Sequence, residues 1–162
     1  MVMILLRKED LLVFYKDKEK GLKSIEKHSD WFPLYSSACL AGIVGDLIAD
    51  GHIQGDPKWR IDFTSKNLNK LNSFGNKIFR LFGIKGKIRP CTTNKWGKSF
   101  NYGINCKLLA RIIHLIGVPT GNKVKKKFLI PKWILSKEEY FVEFVREIFS
   151  CDGYVDIYAK NL

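Results

Sequence analysis

The strongest constraint on the fold is the stretch from Leu34 to Ala49, which has helical spacing and one charged residue, Asp46. A helix that is apolar on all sides must be buried among other elements. Ser36 or Ser37 is suited to begin it, since a Ser side chain accepts hydrogen bonds from the first free amides of a helix. The sequence therefore predicts a central helix that ends at Asp50-Gly51, with the glycine just past its end.

A second helix ending in Asp-Gly follows later in the chain. Ser136 and Glu139 have the spacing of a capping box, and an apolar helix is expected from there to Ser150. It ends at Asp152-Gly153, which lies 152 − 50 = 102 residues after the first pair. The two copies form a weak internal repeat.

Small residues in the first helix indicate how the two helices can meet. Ala41, Gly45 and Ala49 recur every four residues, so they lie on one face and let a second helix approach closely. Close packing would bring Asp50 and Asp152 together, and paired carboxylates suit Mg²⁺. The alternative is that each Asp-Gly pair only ends its helix.

Between the two helices the pattern predicts two hairpins, each followed by a helix. The segments are short and have strand character, and turn-forming residues separate the two strands of each hairpin. The strands are expected over residues 52–54, 59–64, 84–91 and 99–105, and the helices over 67–82 and 107–116. The order is helix, two strands, helix, two strands, helix, which is a mixed α/β (α+β) unit.

Charge indicates a polyanionic partner. The chain has 28 Lys and Arg against 16 Asp and Glu, for a net charge of +12, and basic side chains release counterions when they neutralise phosphates. We expect no membrane association, since no segment approaches the roughly 20 apolar residues of a membrane span. The four cysteines form no CxxC pair, so we expect reduced thiols and a cytoplasmic location.

Residues 43–51, IVGDLIADG, resemble the nonapeptide that names the LAGLIDADG homing endonucleases. Residues 145–153, VREIFSCDG, resemble the second copy found in single-chain members. Residues 64–68, residues 117–123 and Ile130-Pro131 are similar to archaeal-type members of the family. The resemblance covers about residues 36–158.

The resemblance implies a homing-endonuclease fold in which each half is αββαββα. The two motif helices form the central interface, and a saddle-shaped antiparallel sheet covers the major groove of double-stranded DNA. We expect an N-terminal extension over residues 1–34, a first half-domain over 35–117, a basic linker over 118–137 and the start of a second half-domain over 138–162. The implied activity is site-specific DNA cleavage in intron homing.

The resemblance also implies the site residues. The catalytic residues are Asp50, Asp152 and Lys66. Mg²⁺, or another divalent metal such as Mn²⁺, is expected at Asp50, Gly51, Asp152 and Gly153. The alternative for Lys66 is that it is only an exposed lysine in the first turn of a helix.

Polar side chains of the hairpins and linker are the candidates for DNA contact, because such side chains read base edges or bind phosphates. Each one taken alone could simply be a solvated surface residue. The candidates are Gln54, Lys58, Arg60, Lys87, Arg89, Lys95, Lys98, Asn101, Lys123 and Lys125.

Two features depart from the family pattern. Glu147 stands where the second motif has a small residue, so we expect it to be desolvated or to force the helices apart. A complete second half would need sheet and helices beyond Leu162. Three explanations are open: a truncated chain, a decayed one, or a chain that forms a homodimer through its first motif. If the two-motif chain is complete, we expect a monomer.

Two other functions remain open from the sequence. One is a non-cleaving protein of the same fold, either a maturase that binds intron RNA or a DNA-binding regulator. The other is a basic α/β interaction protein whose Asp-Gly pairs are only helix ends. Cleavage that requires Mg²⁺ separates the endonuclease from both.

Overall fold

Two antiparallel sheets and the helices packed against them give an α+β architecture. The computed structural model describes residues 1–91, 97–123 and 128–152, with Asp152 described by its backbone only. The strands are β1 Ile4–Leu6, β2 Leu34–Tyr35, β3 Gly51–Gln54, β4 Arg60–Ser65, β5 Lys87–Pro90 and β6 Phe100–Ile104. The helices are α1 Lys18–Glu26, α2 Ala38–Ala49, α3 Leu68–Phe82, α4 Lys107–Leu115, α5 Lys132–Leu135 and α6 Glu138–Asp152.

Helix α2 is the central buried helix that its composition predicts. Every residue from Leu40 to Leu47 is buried. The Ser37 hydroxyl accepts a hydrogen bond from the Leu40 amide, so α2 begins at Ala38. The prediction that Ser36 or Ser37 begins the helix is confirmed for Ser37, and the preceding residues Leu34 and Tyr35 pair with β1.

The main sheet has the strand order β3-β4-β6-β5, with antiparallel neighbours throughout, and the two predicted hairpins are confirmed. Alternate residues of β4 and β6, including Ile61, Phe63 and Tyr102, are buried. Phe74 of α3 stacks on Phe63 with ring centroids 4.6 Å apart and meets Tyr102 edge to face. Helices therefore cover one face of the sheet, and the other face is left for polar side chains.

The helices that follow the hairpins begin and end close to the expected residues. The Asn67 side chain accepts a hydrogen bond from the Asn69 amide at the start of α3. Gly83 ends α3 with φ of 66°, a left-handed conformation that favours glycine. Helix α4 ends at Leu115, one residue before the predicted Ile116.

Residues 1–34 pack onto the main sheet and α4 through an aromatic cluster. The Arg111 guanidinium of α4 lies 5.3 Å from the ring centroid of Phe14 and 4.8 Å from that of Tyr15. Trp59 completes the cluster at 5.6 Å. Arg111 is buried, so these cation–π contacts take the place of water around its charge.

The expected linker over residues 118–137 contains the short helix α5. Trp133 in α5 is buried, and its indole N–H donates to the Ile116 carbonyl at 2.9 Å. The Ser136 hydroxyl donates to the Trp133 carbonyl at 2.6 Å, so Ser136 ends α5, and the predicted capping box with Glu139 is wrong. Helix α6 continues through Asp152, which lies in its last turn.

Candidate active site and nucleic-acid interface

Helices α2 and α6 lie side by side and run in the same direction. Near their N-terminal ends, the Tyr140 hydroxyl of α6 lies 3.2 Å from the hydroxyl of Ser36, which precedes α2. At their last turns the Cys151 thiol donates to the Asp46 carboxylate at 3.9 Å. The ends that carry Asp50 and Asp152 therefore lie at the same end of the helix pair.

Glycines allow the two helices to approach closely. A Cβ atom at Gly45 would lie 2.6 Å from the Phe144 carbonyl oxygen, which is closer than atoms can pack. A Cβ atom at Gly42 would lie 3.3 Å from the Glu143 Cγ atom. Of the predicted interface residues, Gly45 makes this contact, Ala41 is fully buried and Ala49 is half-buried. Gly42 is a close-contact residue that the four-residue spacing missed.

Asp50 is held between α2 and the sheet by its backbone. Its amide donates to the Asp46 carbonyl at 3.0 Å, and its carbonyl accepts from the Thr64 amide at 3.3 Å. A Cβ atom at Gly51 would lie 2.5 Å from the Leu47 Cα atom. Gly51 begins β3 directly after the helix, and its φ is not left-handed. Glycine is therefore required here because a side chain would have no space, and not because of the backbone conformation.

A cleft of about 840 Å³ opens where α2, α6 and the junction between β4 and α3 meet. It brings together Asp50 and Lys66, two of the three predicted catalytic residues. The side chain of Asp152 and all of Gly153 lie outside the described residues. The cleft is lined by Asp50, Thr64, Ser65, Lys66, Asn67, Asn69, Lys70, Ser73, Ser99, Arg146, Glu147, Ser150 and Cys151.

Four charged side chains, which we call the charge cluster, join α2, α3 and α6 beside this cleft. Asp46 is fully buried between Lys77, 2.6 Å away, and Lys70, 2.9 Å away. Glu147 pairs with the same two lysines. Of the two expectations for Glu147, desolvation is confirmed, since its side chain is 12% exposed. Separation of the helices is wrong, because two ammonium groups from α3 compensate its charge.

The charge cluster shifts the pKa values of its members in different directions. Burial raises the pKa of Asp46 to about 6, although Lys77 and Lys70 oppose it. Burial also acts to raise the pKa of Glu147, but the hydrogen bonds from Lys70 and Lys77 outweigh it and lower that pKa to about 2. Glu147 is consequently ionised at neutral pH, while Asp46 titrates at a higher pH than an ordinary carboxyl.

Oxygen atoms are the metal donors that this cleft offers. Burial and the carboxylates of Asp46 and Asp50 raise the pKa of the Cys151 thiol to about 12, against the opposing charge of Lys70. The thiol is therefore protonated at neutral pH. In the described part of the chain no group of three or more His, Cys, Asp and Glu side chains could hold a metal. Mg²⁺ commonly binds through one or two carboxylates plus substrate phosphate, and the Asp50 carboxylate suits that mode.

Lys123 lies at the end of α2 that carries Asp50. Its ammonium donates to the carbonyl oxygens of Leu47 and Ile48, each at 2.8 Å, and to that of Ala49 at 3.4 Å. A cation in this position satisfies carbonyls that have no partner within the helix and interacts favourably with the helix dipole. The predicted contact of Lys123 with phosphate remains a prediction.

The strand pairing places the DNA-contact candidates of the main sheet on one face. Gln54 pairs with Arg60, Asn101 with Arg89, and Lys87 with Gly103, in the alternation that turns away from the core. Lys58 and Lys98 are exposed in the connections, and Lys95 and Lys125 lie outside the described residues. The sequence reading missed three residues that share this face by the same alternation: His52, Asp62 and Thr64.

No model of a known protein family matches the chain, and a search of curated proteins also finds no match. Within the described ranges no helix is both long enough and apolar enough to cross a membrane. Inferences about function therefore depend on the cleft, the charge cluster and the polar face of the sheet.

Proposed function

We propose that this protein is a site-specific double-stranded DNA endonuclease with the LAGLIDADG homing-endonuclease fold. The observation that carries the proposal is the parallel packing of α2 and α6, whose last turns meet at the cleft that holds Asp50 and Lys66. Two helices that only needed caps would not require their last turns to share one cleft with basic side chains.

The polar face of the main sheet would bind the duplex. The major groove is about 12 Å wide and admits paired strands, whose alternate side chains can reach base edges. Lys58 and Lys98, exposed in the connections, would neutralise backbone phosphates, as the net charge of +12 favours. The half-domain order α2-β3-β4-α3-β5-β6-α4 agrees with the αββαββα arrangement of the family.

The cleft would carry out the hydrolysis. The carboxylates of Asp50 and Asp152, with Gly51 and Gly153 beside them, would hold Mg²⁺ or Mn²⁺. Divalent metals bound in this way lower the pKa of a water nucleophile and stabilise the leaving oxygen. Lys66 would place its ammonium beside the charge that develops on the scissile phosphate. Lys70 has a different role, because its ammonium already binds Asp46 and Glu147.

Selection from randomised DNA duplexes tests the proposal. Wild-type protein is incubated with the library in Mg²⁺ or in Ca²⁺ beside two variants, Asp50→Asn and Asp56→Asn. Asp56 lies exposed in the turn between β3 and β4, so its variant makes the same charge change away from the cleft. We expect sequence-specific cuts in Mg²⁺ from wild type and Asp56→Asn, and binding without cuts from Asp50→Asn.

Other results would change the assignment. Specific binding with no cleavage under any metal would identify a non-cleaving regulator or maturase, and intron RNA would be the next ligand to test. Equal weak binding to every duplex, with no effect of divalent metal, would instead identify a basic interaction protein.

A further inference from the structure

One arginine on the polar face of the sheet is fixed by its neighbours. Arg60 lies in β4, an inner strand, and its Nε atom donates to the Asp62 carboxylate at 3.0 Å. The two side chains are two residues apart and so project from the same face. They are 30% and 22% exposed, which leaves Arg60 accessible while its position is restrained.

Gly103 provides the space in which the Arg60 guanidinium lies. Gly103 pairs with Asp62 across the strands. A Cβ atom at Gly103 would collide with the Nη2 atom of Arg60 and lie 3.3 Å from its Cζ atom. The guanidinium therefore lies over the backbone of β6, near the middle of the face, and any side chain at Gly103 would displace it.

This arrangement suits the reading of a guanine. Asp62 engages Nε, which leaves both terminal amino groups of Arg60 outside that pair. A planar guanidinium with two parallel donors matches the O6 and N7 acceptors of guanine in the major groove. Restraint by a carboxylate lowers the conformational entropy that the side chain loses on binding.

The surroundings of Arg60 differ from those of the other basic candidates. Lys87 and Arg89 are exposed on the edge strand β5, so they suit phosphates that need no fixed donor geometry. Arg60 borders two basic clefts, one with these two residues and one with Lys58 and Lys107. Phosphate-binding side chains thus lie on both sides of a central restrained arginine.

We propose that Arg60 is a specificity-determining residue that reads one guanine of the bound duplex, with Asp62 and Gly103 as positioning residues. The inference rests on the proposed function, because it requires that the sheet face bind double-stranded DNA. Asp62 places a negative charge on a face that would bind a polyanion, so it opposes non-specific affinity. Holding Arg60 is the contribution that the structure shows for it.

The test is selection from randomised duplexes in Ca²⁺, followed by affinity measurement on the best site. Wild type should require a G·C pair at one position. Arg60→Lys keeps the charge but lacks the two parallel donors of the guanidinium. It should lose the preference at that one position and keep the others, with affinity for the best site lower by roughly 5- to 150-fold. Lys87→Ala is the control, which should weaken binding to all sequences alike and reduce the salt dependence by about one phosphate contact.

Asp62→Ala and Gly103→Ala separate positioning from charge. Both should weaken the preference for the same base pair as Arg60→Lys does. Asp62→Ala should at the same time raise affinity for random DNA, because it removes a negative charge. A role of Asp62 in folding alone would lower both affinities together.

Two kinds of result would overturn the inference. If Arg60→Lys keeps the wild-type preference at every position, or loses preference at all positions together, Arg60 does not read one base, and the endonuclease proposal stands unchanged. If wild type itself shows no sequence preference, the proposed function fails as well.

Discussion

Replacement of Glu147 by glutamine tests the energetic role of the charge cluster. The change keeps the size of the side chain but leaves Lys70 and Lys77 facing one carboxylate, that of Asp46. Burial acts to raise the pKa of Glu147, yet the two lysines lower it from 4.5 to about 2. This lowering corresponds to about 3 kcal/mol in favour of the folded state at pH 7, at about 1.4 kcal/mol for each pH unit. The Glu147 side chain is 12% exposed, so solvent screens the interaction weakly.

Urea unfolding followed by circular dichroism measures the effect. We expect Glu147→Gln to lower the free energy of unfolding by about 3 kcal/mol at pH 7. Because the folded-state pKa is lowered, this contribution is complete above pH 4.5 and is lost as the pH falls towards 2. The difference between wild type and variant should therefore shrink to about half near pH 3.

Glu139→Gln is the matched control, since it makes the same charge change on an exposed residue in the first turn of α6. Its effect should stay below about 1 kcal/mol, the range of a helix-dipole interaction at the surface. A loss below 1 kcal/mol for Glu147→Gln, or a loss that does not change between pH 7 and pH 3, would refute the account of the charge cluster.

Three further predictions concern the same helix pair. Burial raises the pKa of Asp46 from 3.8 to about 6, so wild type loses stability as the pH rises through that window. The free energy of unfolding of wild type relative to that of Asp46→Asn should therefore fall by about 2 kcal/mol between pH 4 and pH 7 in the same unfolding assay. A difference that stays constant over this range would contradict the burial of the carboxyl group. Lys123→Met removes the donor to the last carbonyls of α2 and should lower the free energy of unfolding by about 1 kcal/mol, which would appear as a lower urea midpoint. An unchanged midpoint would contradict a stabilising role for this contact. Gly45→Ala should lower the free energy of unfolding by about 1–3 kcal/mol, because its new Cβ atom meets the backbone of α6. Gly42→Ala is the control and should cost less, because its Cβ atom meets flexible side chains. Equal losses for the two variants would show that the close contact between the helices is not at Gly45.

Local sequence patterns predict much of the fold. The low charge of α2 indicates its burial. Apolar residues alternate in β4, and turn-forming residues between the strands locate both hairpins of the main sheet. The same alternation assigns Gln54, Arg60 and Asn101 to one face, because pairing partners in adjacent strands project together. These features depend on neighbours along the chain, which a sequence displays directly.

Features that depend on distant residues could not be predicted in this way. Glu147 is tolerated at a helix crossing only because Lys70 and Lys77 reach it from α3, about 70 residues earlier in the chain. The packing of residues 1–34 likewise depends on Arg111, whose aromatic partners are separated in sequence. The pairing of such side chains is fixed by tertiary packing and has no local signature.

We propose that Asp50 acts in metal-dependent cleavage at the cleft shared by α2 and α6. The most direct test is single-turnover cleavage of the selected duplex by wild type and Asp50→Asn, with protein concentrations that give equal occupancy of the duplex in Ca²⁺. We predict that wild type cuts both strands after Mg²⁺ is added, while Asp50→Asn stays bound and does not cut. Cleavage by Asp50→Asn at the wild-type rate, or cleavage by wild type without a divalent metal, would contradict the claim.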